Sequence, residues 1–239
     1  MPPGAAIQTG LDAVRRRVDA AARRVSRTAE QVTLVAVSKT VPAALVRHAA
    51  EAGQVHFGEN RVQEGLDKAE ALRDLALSWH LIGHLQSNKA RRAAAAFSWI
   101  ESVDSRELLQ RLDAAASDLG TAPRVLIQVD LAEEASKFGA RRDAVRDLVY
   151  AACDARHVRL AGLMVIPPLP DVPESSRPWF RALREMRDDL VAGGVAVDQL
   201  AELSMGMSQD FEVAIEEGAT IVRVGTAIFG ARPAAHGAP

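Results

Sequence analysis

One cysteine, Cys153, stands alone in 239 residues. An intramolecular disulfide and a CxxC metal site are thereby excluded, and the chain suits a reducing cytoplasm. Aromatic residues are scarce at 4% and the formal net charge is only −2. Neither supports a surface that reads nucleic acid through basic patches and stacking rings, or a bulk attraction to anionic membranes. No apolar run approaches the ~20 residues of a membrane span. The opening MPPGAAIQTG lacks the charged and apolar regions of a secretory signal. The six histidines fall in no HExxH or similar ligand spacing. No GxGxxG follows the first strand, and no P-loop motif occurs, which removes the usual signatures of an open dinucleotide- or nucleotide-binding sheet.

What is present is a regular alternation. Ile7, Leu11, Val14, Val18, Ala22 and Val25 recur at helical spacing and predict an amphipathic first helix, with Arg15, Arg16, Arg23 and Arg24 on a solvated face. Next comes LVAVSKT, Leu34–Thr40. Its continuous apolar run suits a strand buried on both faces, and it delivers Lys39 to the strand's carboxyl end. Further strands are predicted at Val55–Gly58, Trp79–Gly83, Ser98–Val103, Arg124–Val129, Leu160–Ile166, Gln199–Leu203 and Thr220–Val224. Helical patterns separate them. Asp104 with Glu107 is a capping-box-like helix start, and Ser208 is placed to cap the helix that holds Asp210 and Glu212. Pro167, Pro168, Pro170 and Pro173 hold the stretch after Ile166 extended. About eight βα units in one domain of this length predict a closed parallel (β/α)8 barrel. Its core runs from about residue 7 to 230, the first helix helps cover the closing seam, and a short flexible tail follows from Ala231. An open doubly wound sheet is the alternative.

In such a barrel the chemistry sits at the carboxyl ends of the strands. Those ends carry Lys39, Glu59, Asn60, His84, Asp104, Asp130, Met164, the run Ser204-Met205-Gly206-Met207-Ser208, and Arg223-Val224-Gly225-Thr226. The Ser204–Ser208 run joins a hydroxyl, a flexible glycine and a helix amino end, and Gly225 with Thr226 permits close backbone approach. Together they predict an anion site after the last two strands, where barrels often hold phosphate. Lys39, on the neighbouring first strand, adds an amine that desolvation would make nucleophilic toward an aldehyde. A phosphate cradle beside such a lysine points to pyridoxal 5′-phosphate (PLP). Arg223 then lies where it can face the pyridine nitrogen, keep it unprotonated and blunt the electron sink. Each residue also has a plainer role. Lys39 suits a salt bridge, Ser208 a cap, Gly225 a turn, Arg223 an interior carboxylate, His84 a loop hydrogen bond, and Lys137 solvent.

The stretches LVAVSKT, HFGENRVQE, WHLIGHLQSNK, GLMVIPP, LSMGMSQDFEVAIEEGAT and VRVGTAIFGAR resemble the YggS/PROSC family of PLP homeostasis proteins. The resemblance implies a single barrel similar to the amino-terminal domain of alanine racemase. It implies PLP held as a Schiff base on Lys39, its phosphate held by Ser204, Gly225 and Thr226, and Arg223 at the pyridine nitrogen. Asn60, Met164, Gly206 and Ser208 complete the expected cofactor site. A cytoplasmic monomer that carries or buffers PLP, with PLP-dependent apo-enzymes as recipients, follows from the same likeness. Val41 stands where the family often has a second lysine, and Asp130 where it often has asparagine.

Two other functions remain open on sequence grounds. A PLP-dependent amino-acid racemase would need a second acid/base opposite Lys39, and the only tyrosine, Tyr150, belongs to a predicted outer helix. A cofactor-free sugar-phosphate sensor would use the anion site alone.

Overall fold

The computed structural model describes residues 2–132 and 138–230, so Lys137 and the tail from Ala231 lie outside the described residues. The chain opens with α1 (Pro3–Arg24) and then alternates: β1 (Thr33–Val37), α2 (Ala43–Glu51), β2 (His56–Glu59), α3 (Val62–Ala71), β3 (Ser78–Leu81), α4 (Ala90–Ala96), β4 (Trp99–Val103), α5 (Arg106–Leu119) and β5 (Arg124–Asp130). A two-residue strand, β6 (Ala140–Arg141), pairs only with the end of β5. The alternation resumes with α6 (Val145–Cys153), β7 (Arg159–Val165), α7 (Arg177–Ala192), β8 (Glu202–Ser204), α8 (Phe211–Glu216), β9 (Ile221–Val224) and α9 (Thr226–Phe229).

Leaving β6 aside, eight parallel strands close on themselves, β4 pairing with β5 at one point of the ring and β9 with β1 at another. The structure is the expected (β/α)8 barrel. The register Val35↔Arg223 and Ala36↔Val224 sets β1 beside β9, so the end of the first strand neighbours the end of the last. Two cores form. The larger lies between strands and helices, and a smaller one of Val35, Trp99, Leu126, Ala161, Met164 and Ile221 fills the barrel. Alternating inward and outward side chains on parallel strands produce this division.

The apolar stripe of α1 buries Ile7, Leu11, Val14 and Val18 against α2, α8 and α9. The first helix therefore does cover the seam, packing over the four-residue α9 that follows β9. Among the described residues no helix is long and apolar enough to cross a membrane.

Three local expectations shift. The cap of α5 is Ser105, whose Oγ accepts from Leu108 N–H at 3.3 Å, rather than Asp104. Strand β8 begins only at Glu202, because a 3-10 turn occupies Val197–Leu200. Ser208 caps nothing, since α8 starts after Asp210, and its Oγ instead accepts from Gly225 N–H at 3.2 Å.

Candidate functional site

At the carboxyl end of the barrel a cavity of about 440 Å³ opens between the loops after β1, β2, β3, β7, β8 and β9. That volume suits a small cofactor. Lys39, Asn60, Ser208, Arg223, Gly225 and Thr226 all line it, joined by Val37, Ile82, Ile166, Leu169, Pro170, Met207, Gln209 and Asp210. Six of the nine residues expected from sequence thus share one wall-to-wall space. The proline-held stretch after β7 supplies its apolar side, with Leu169 78% exposed at the rim.

The other three lie behind the wall. Met164 is fully buried in the barrel's inner core. Gly206 sits at φ +92°, a conformation that favours glycine, and a Cβ there would come within 2.5 Å of Ala214 Cβ. Its carbonyl accepts from Arg223 N–H at 3.0 Å. Ser204, also fully buried, donates to Glu101 Oε2 and accepts from Arg223 Nη1, each at 2.5 Å. Its hydroxyl therefore supports the arginine and does not face the cavity.

Arg223 is fixed from three directions: Ser204, the Val165 carbonyl at 2.8 Å, and Glu101 at 3.9 Å. Burial lowers its pKa from the ordinary range, opposed by the charges of Glu101 and Asp210. The interior carboxylate foreseen as a plain partner is present, and so is the exposure to the cavity. Behind Arg223 the polar chain continues. Glu101 Oε1 meets His80 Nδ1 at 2.6 Å, and His80 Nε2 meets His56 Nδ1 at 3.0 Å. His80 stacks on Trp99 with the ring centroids 5.1 Å apart. Burial alone would raise the pKa of Glu101. The hydrogen bond from His80 and the charges of His80 and Arg223 hold it below its usual range. One carboxylate and two imidazoles set across β2, β3 and β4 form a network that the sequence reading misses. Glu101 inside the otherwise apolar-flanked WIESV strand is the signal, because a carboxylate in a doubly buried strand requires partners.

The anion cradle differs from expectation in its donors. The helix after it, α8, is short, and Asp210 occupies its amino end. Asp210 is buried, accepts from Met207 N–H at 2.7 Å and from Ser176 Oγ at 2.7 Å. A carboxylate there competes with an incoming anion. The donors that remain at the cavity are the Ser208 hydroxyl and Thr226, where β9 turns into α9, while Gly225 N–H is already given to Ser208 Oγ.

His84 lies at the mouth, 3.4 Å from Asp104 and stacked on Phe138 at 3.7 Å between centroids, and it does not line the cavity. Burial raises the pKa of Asp104, against the pull of His84. Tyr150 is on α6, its hydroxyl donating to the Gly193 carbonyl at 3.2 Å.

The family model described as alanine racemase, N-terminal domain, matches residues 10–233. The class is therefore an alanine-racemase-type barrel with a lysine at the end of its first strand. Finer comparison reaches proteins named pyridoxal phosphate homeostasis protein. The one from Aquifex aeolicus is 46% identical over 200 residues, 83% of this chain and 86% of that protein. The one from Pseudomonas aeruginosa is 47% identical over 207 residues, 86% of each. The solved structure of PipY from Synechococcus elongatus, with PLP bound, is 42% identical, with a TM-score of 0.83, covering 94% of this chain and 100% of that one. The chain belongs to the pyridoxal phosphate homeostasis protein family. Alanine racemase from Streptomyces coelicolor shares the fold, with a TM-score of 0.70 at 21% identity, and this chain covers 59% of its length.

Proposed function

We propose that the chain binds PLP in the cavity at the barrel mouth, as a Schiff base on Lys39, and serves intracellular PLP homeostasis by carrying or buffering the cofactor. The observation that carries this is the convergence of Lys39, Arg223 and the Ser208–Gly225–Thr226 groups on one cavity of about 440 Å³. The residues fit the group. The lining offers an amine, hydroxyl and backbone groups suited to a phosphate, and a fixed guanidinium. Val37, Ile82 and Ile166 offer apolar contact to a ring. Family membership and the PLP-bound relative support the same assignment.

When bound, PLP supplies an aldehyde for amine capture and an electron-withdrawing ring. The protein's part is to hold and orient. Lys39 would supply the amine that holds the aldehyde. Ser208 and Thr226 would hold the phosphate, with the Gly225 backbone beside them in the lining. Arg223, held by Ser204, Val165 and Glu101, would set a positive charge beside the ring, which would disfavour a protonated pyridine nitrogen and hence strong carbanion stabilisation. Tyr150 stands on an outer helix with its hydroxyl spent on Gly193, so it supplies no second acid/base for racemisation. These points favour a holder over a catalyst.

The test is a spectral titration of the purified protein with PLP, followed by borohydride reduction and peptide mapping. A Schiff-base absorbance band, with the label on Lys39 and the band lost in Lys39→Ala, is the expected result. Absence of the band in the unmodified protein would overturn the assignment. Turnover with α-proton exchange on an amino acid, abolished by Lys39→Ala, would replace the carrier role with a racemase.

A further inference from the structure

Lys39 occupies the second position of a four-residue turn, Ser38–Val41, closed by Val41 N–H donating to the Ser38 carbonyl at 2.9 Å. The third position is Thr40 at φ +64°. A β-branched residue in the left-handed region is uncommon, and such strain persists only where surroundings over-determine it. The surroundings here come mainly from one helix. Lys68 of α3 donates to the Ser38 carbonyl at 2.5 Å, and Glu64 of α3 accepts from Thr40 N–H at 2.5 Å. The peptide groups immediately before and after Lys39 are therefore both held by α3 side chains. Lys68 also donates to Glu64 at 2.8 Å and to Glu59 at 2.7 Å, so all three of its ammonium donors are engaged. Glu59, fully buried at the end of β2, accepts in addition from Ser38 Oγ at 2.6 Å.

None of these side chains lines the cavity, and Lys68 is almost fully buried. An ion cluster with so much polar burial is poor evidence for stability, since apolar packing commonly replaces such groups at no loss. Its placement fits another purpose. We propose that Lys68, Glu64 and Glu59 form a positioning set for Lys39: they hold the strained turn so that the Lys39 amine is presented to an aldehyde in the cavity. This rests on Lys39 as the point of PLP attachment.

The test uses the full chain and four variants: Glu64→Ala, Glu64→Gln, Lys68→Met, and the charge-balanced double variant Lys68→Met with Glu59→Gln. The double variant guards against unfolding from a buried carboxylate left alone. Two quantities are read for each folded variant. One is the rate of Schiff-base formation with PLP, with borohydride trapping to identify the lysine. The other, without PLP, is the pH profile of Lys39 modification by a simple amine-reactive reagent, read by peptide mass. Glu64→Ala and the double variant should slow PLP capture at Lys39 by about tenfold or more, as expected for a misplaced reacting group. Glu64→Gln, which retains an acceptor for Thr40 N–H, should recover most of the rate. A purely structural role predicts instead that capture tracks thermal stability and that alanine and glutamine at position 64 behave alike. Unchanged capture rates and an unchanged Lys39 pH profile in Glu64→Ala and in the folded double variant would overturn the proposal. If the unmodified protein fails to capture PLP, the cofactor assignment falls, while the reagent profile still decides whether the set governs Lys39.

Discussion

His56 is the outermost member of the buried chain that begins at Arg223, and its environment makes a measurable demand. Burial and the adjacent His80 depress its pKa from 6.5 to about 4, against a raising pull from Glu101. The folded protein thus favours the neutral ring, which meets His80 Nε2 through Nδ1. A depressed folded value contributes stability that is present above the unfolded pKa of 6.5 and is lost as pH falls through about 4. With solvent screening of a partly exposed ring, the contribution is about 1–3 kcal/mol. Urea denaturation of the unmodified protein between pH 7 and pH 4 should show this loss, and His56→Gln, a neutral replacement, should flatten the slope over the same window. An unchanged slope in the variant would assign the acid sensitivity elsewhere. Arg223 gives a second lesson at this scale. Its plain reading, an interior ion pair, is met by Glu101 with Ser204 between them, and the residue also borders the cavity where the functional reading needs it.

Strand β8 shows how an element constrains a site without touching a ligand. It pairs with β7 through Gly162↔Glu202 and Met164↔Ser204. A Cβ on Gly162 would stand 1.8 Å from the Glu202 carbonyl oxygen. The two backbones approach so closely that no side chain fits. Gly162→Ala should therefore cost about 3 kcal/mol or more, read as a lower denaturation midpoint, because the obstacle is backbone and cannot rotate away. It should also disturb Ser204, and with it the support of Arg223. A variant as stable as the parent would show that β7 and β8 can separate freely. The alternation of elements was legible because apolar runs and helical periods are local signals, and strand ends follow from them. Lys39, Asn60, Ser208, Arg223, Gly225 and Thr226 were legible as a set once a barrel was assumed. The clamp through Lys68 and Glu64 was not. Both residues lie in a helix whose pattern reads as an ordinary polar face, and only the crossing of α3 over the β1 turn shows that Lys68 points inward. Asp210 stands before α8 with the charge that suits a helix amino end, yet its carboxylate makes no cap bond to the helix and accepts instead from Met207 N–H and Ser176 Oγ.

At the scale of the whole molecule, the closing seam links the two ends of the described chain to the cavity residues Gly225 and Thr226. Helix α1 precedes the first strand and packs on α8 and α9, which follow the last two. Ion pairs add to this contact: Arg17 pairs with Glu212 at 2.9 Å and Arg24 with Glu216 at 2.6 Å, so α8 is gripped from the α1 side. Arg177 of α7 reaches the same Glu216 at 2.6 Å from the other side. The tightest point is Gly10 of α1. A Cβ there would meet the Ile228 carbonyl oxygen at 2.8 Å and that of Ala227 at 3.0 Å. Helix α9 begins with Thr226, directly after Gly225, and both line the cavity. A bulky residue at position 10 must therefore push α9 outward, because the opposing atoms are backbone. The effect should fall on the phosphate donors and spare Lys39, which is carried by β1 and its turn. Gly10→Leu is expected to lower stability by about 1–3 kcal/mol. It is also expected to weaken PLP binding by about tenfold, the loss of roughly one charge-assisted hydrogen bond. Pyridoxal, which has the aldehyde without the phosphate, should bind the variant and the parent nearly alike. Parallel spectral titrations with the two aldehydes decide the matter. A fall in the ratio of PLP to pyridoxal affinity places the defect at the phosphate donors. An equal fall for both would mean that the displaced helix disturbs the lysine side as well, and that the seam does not act on the anion site alone.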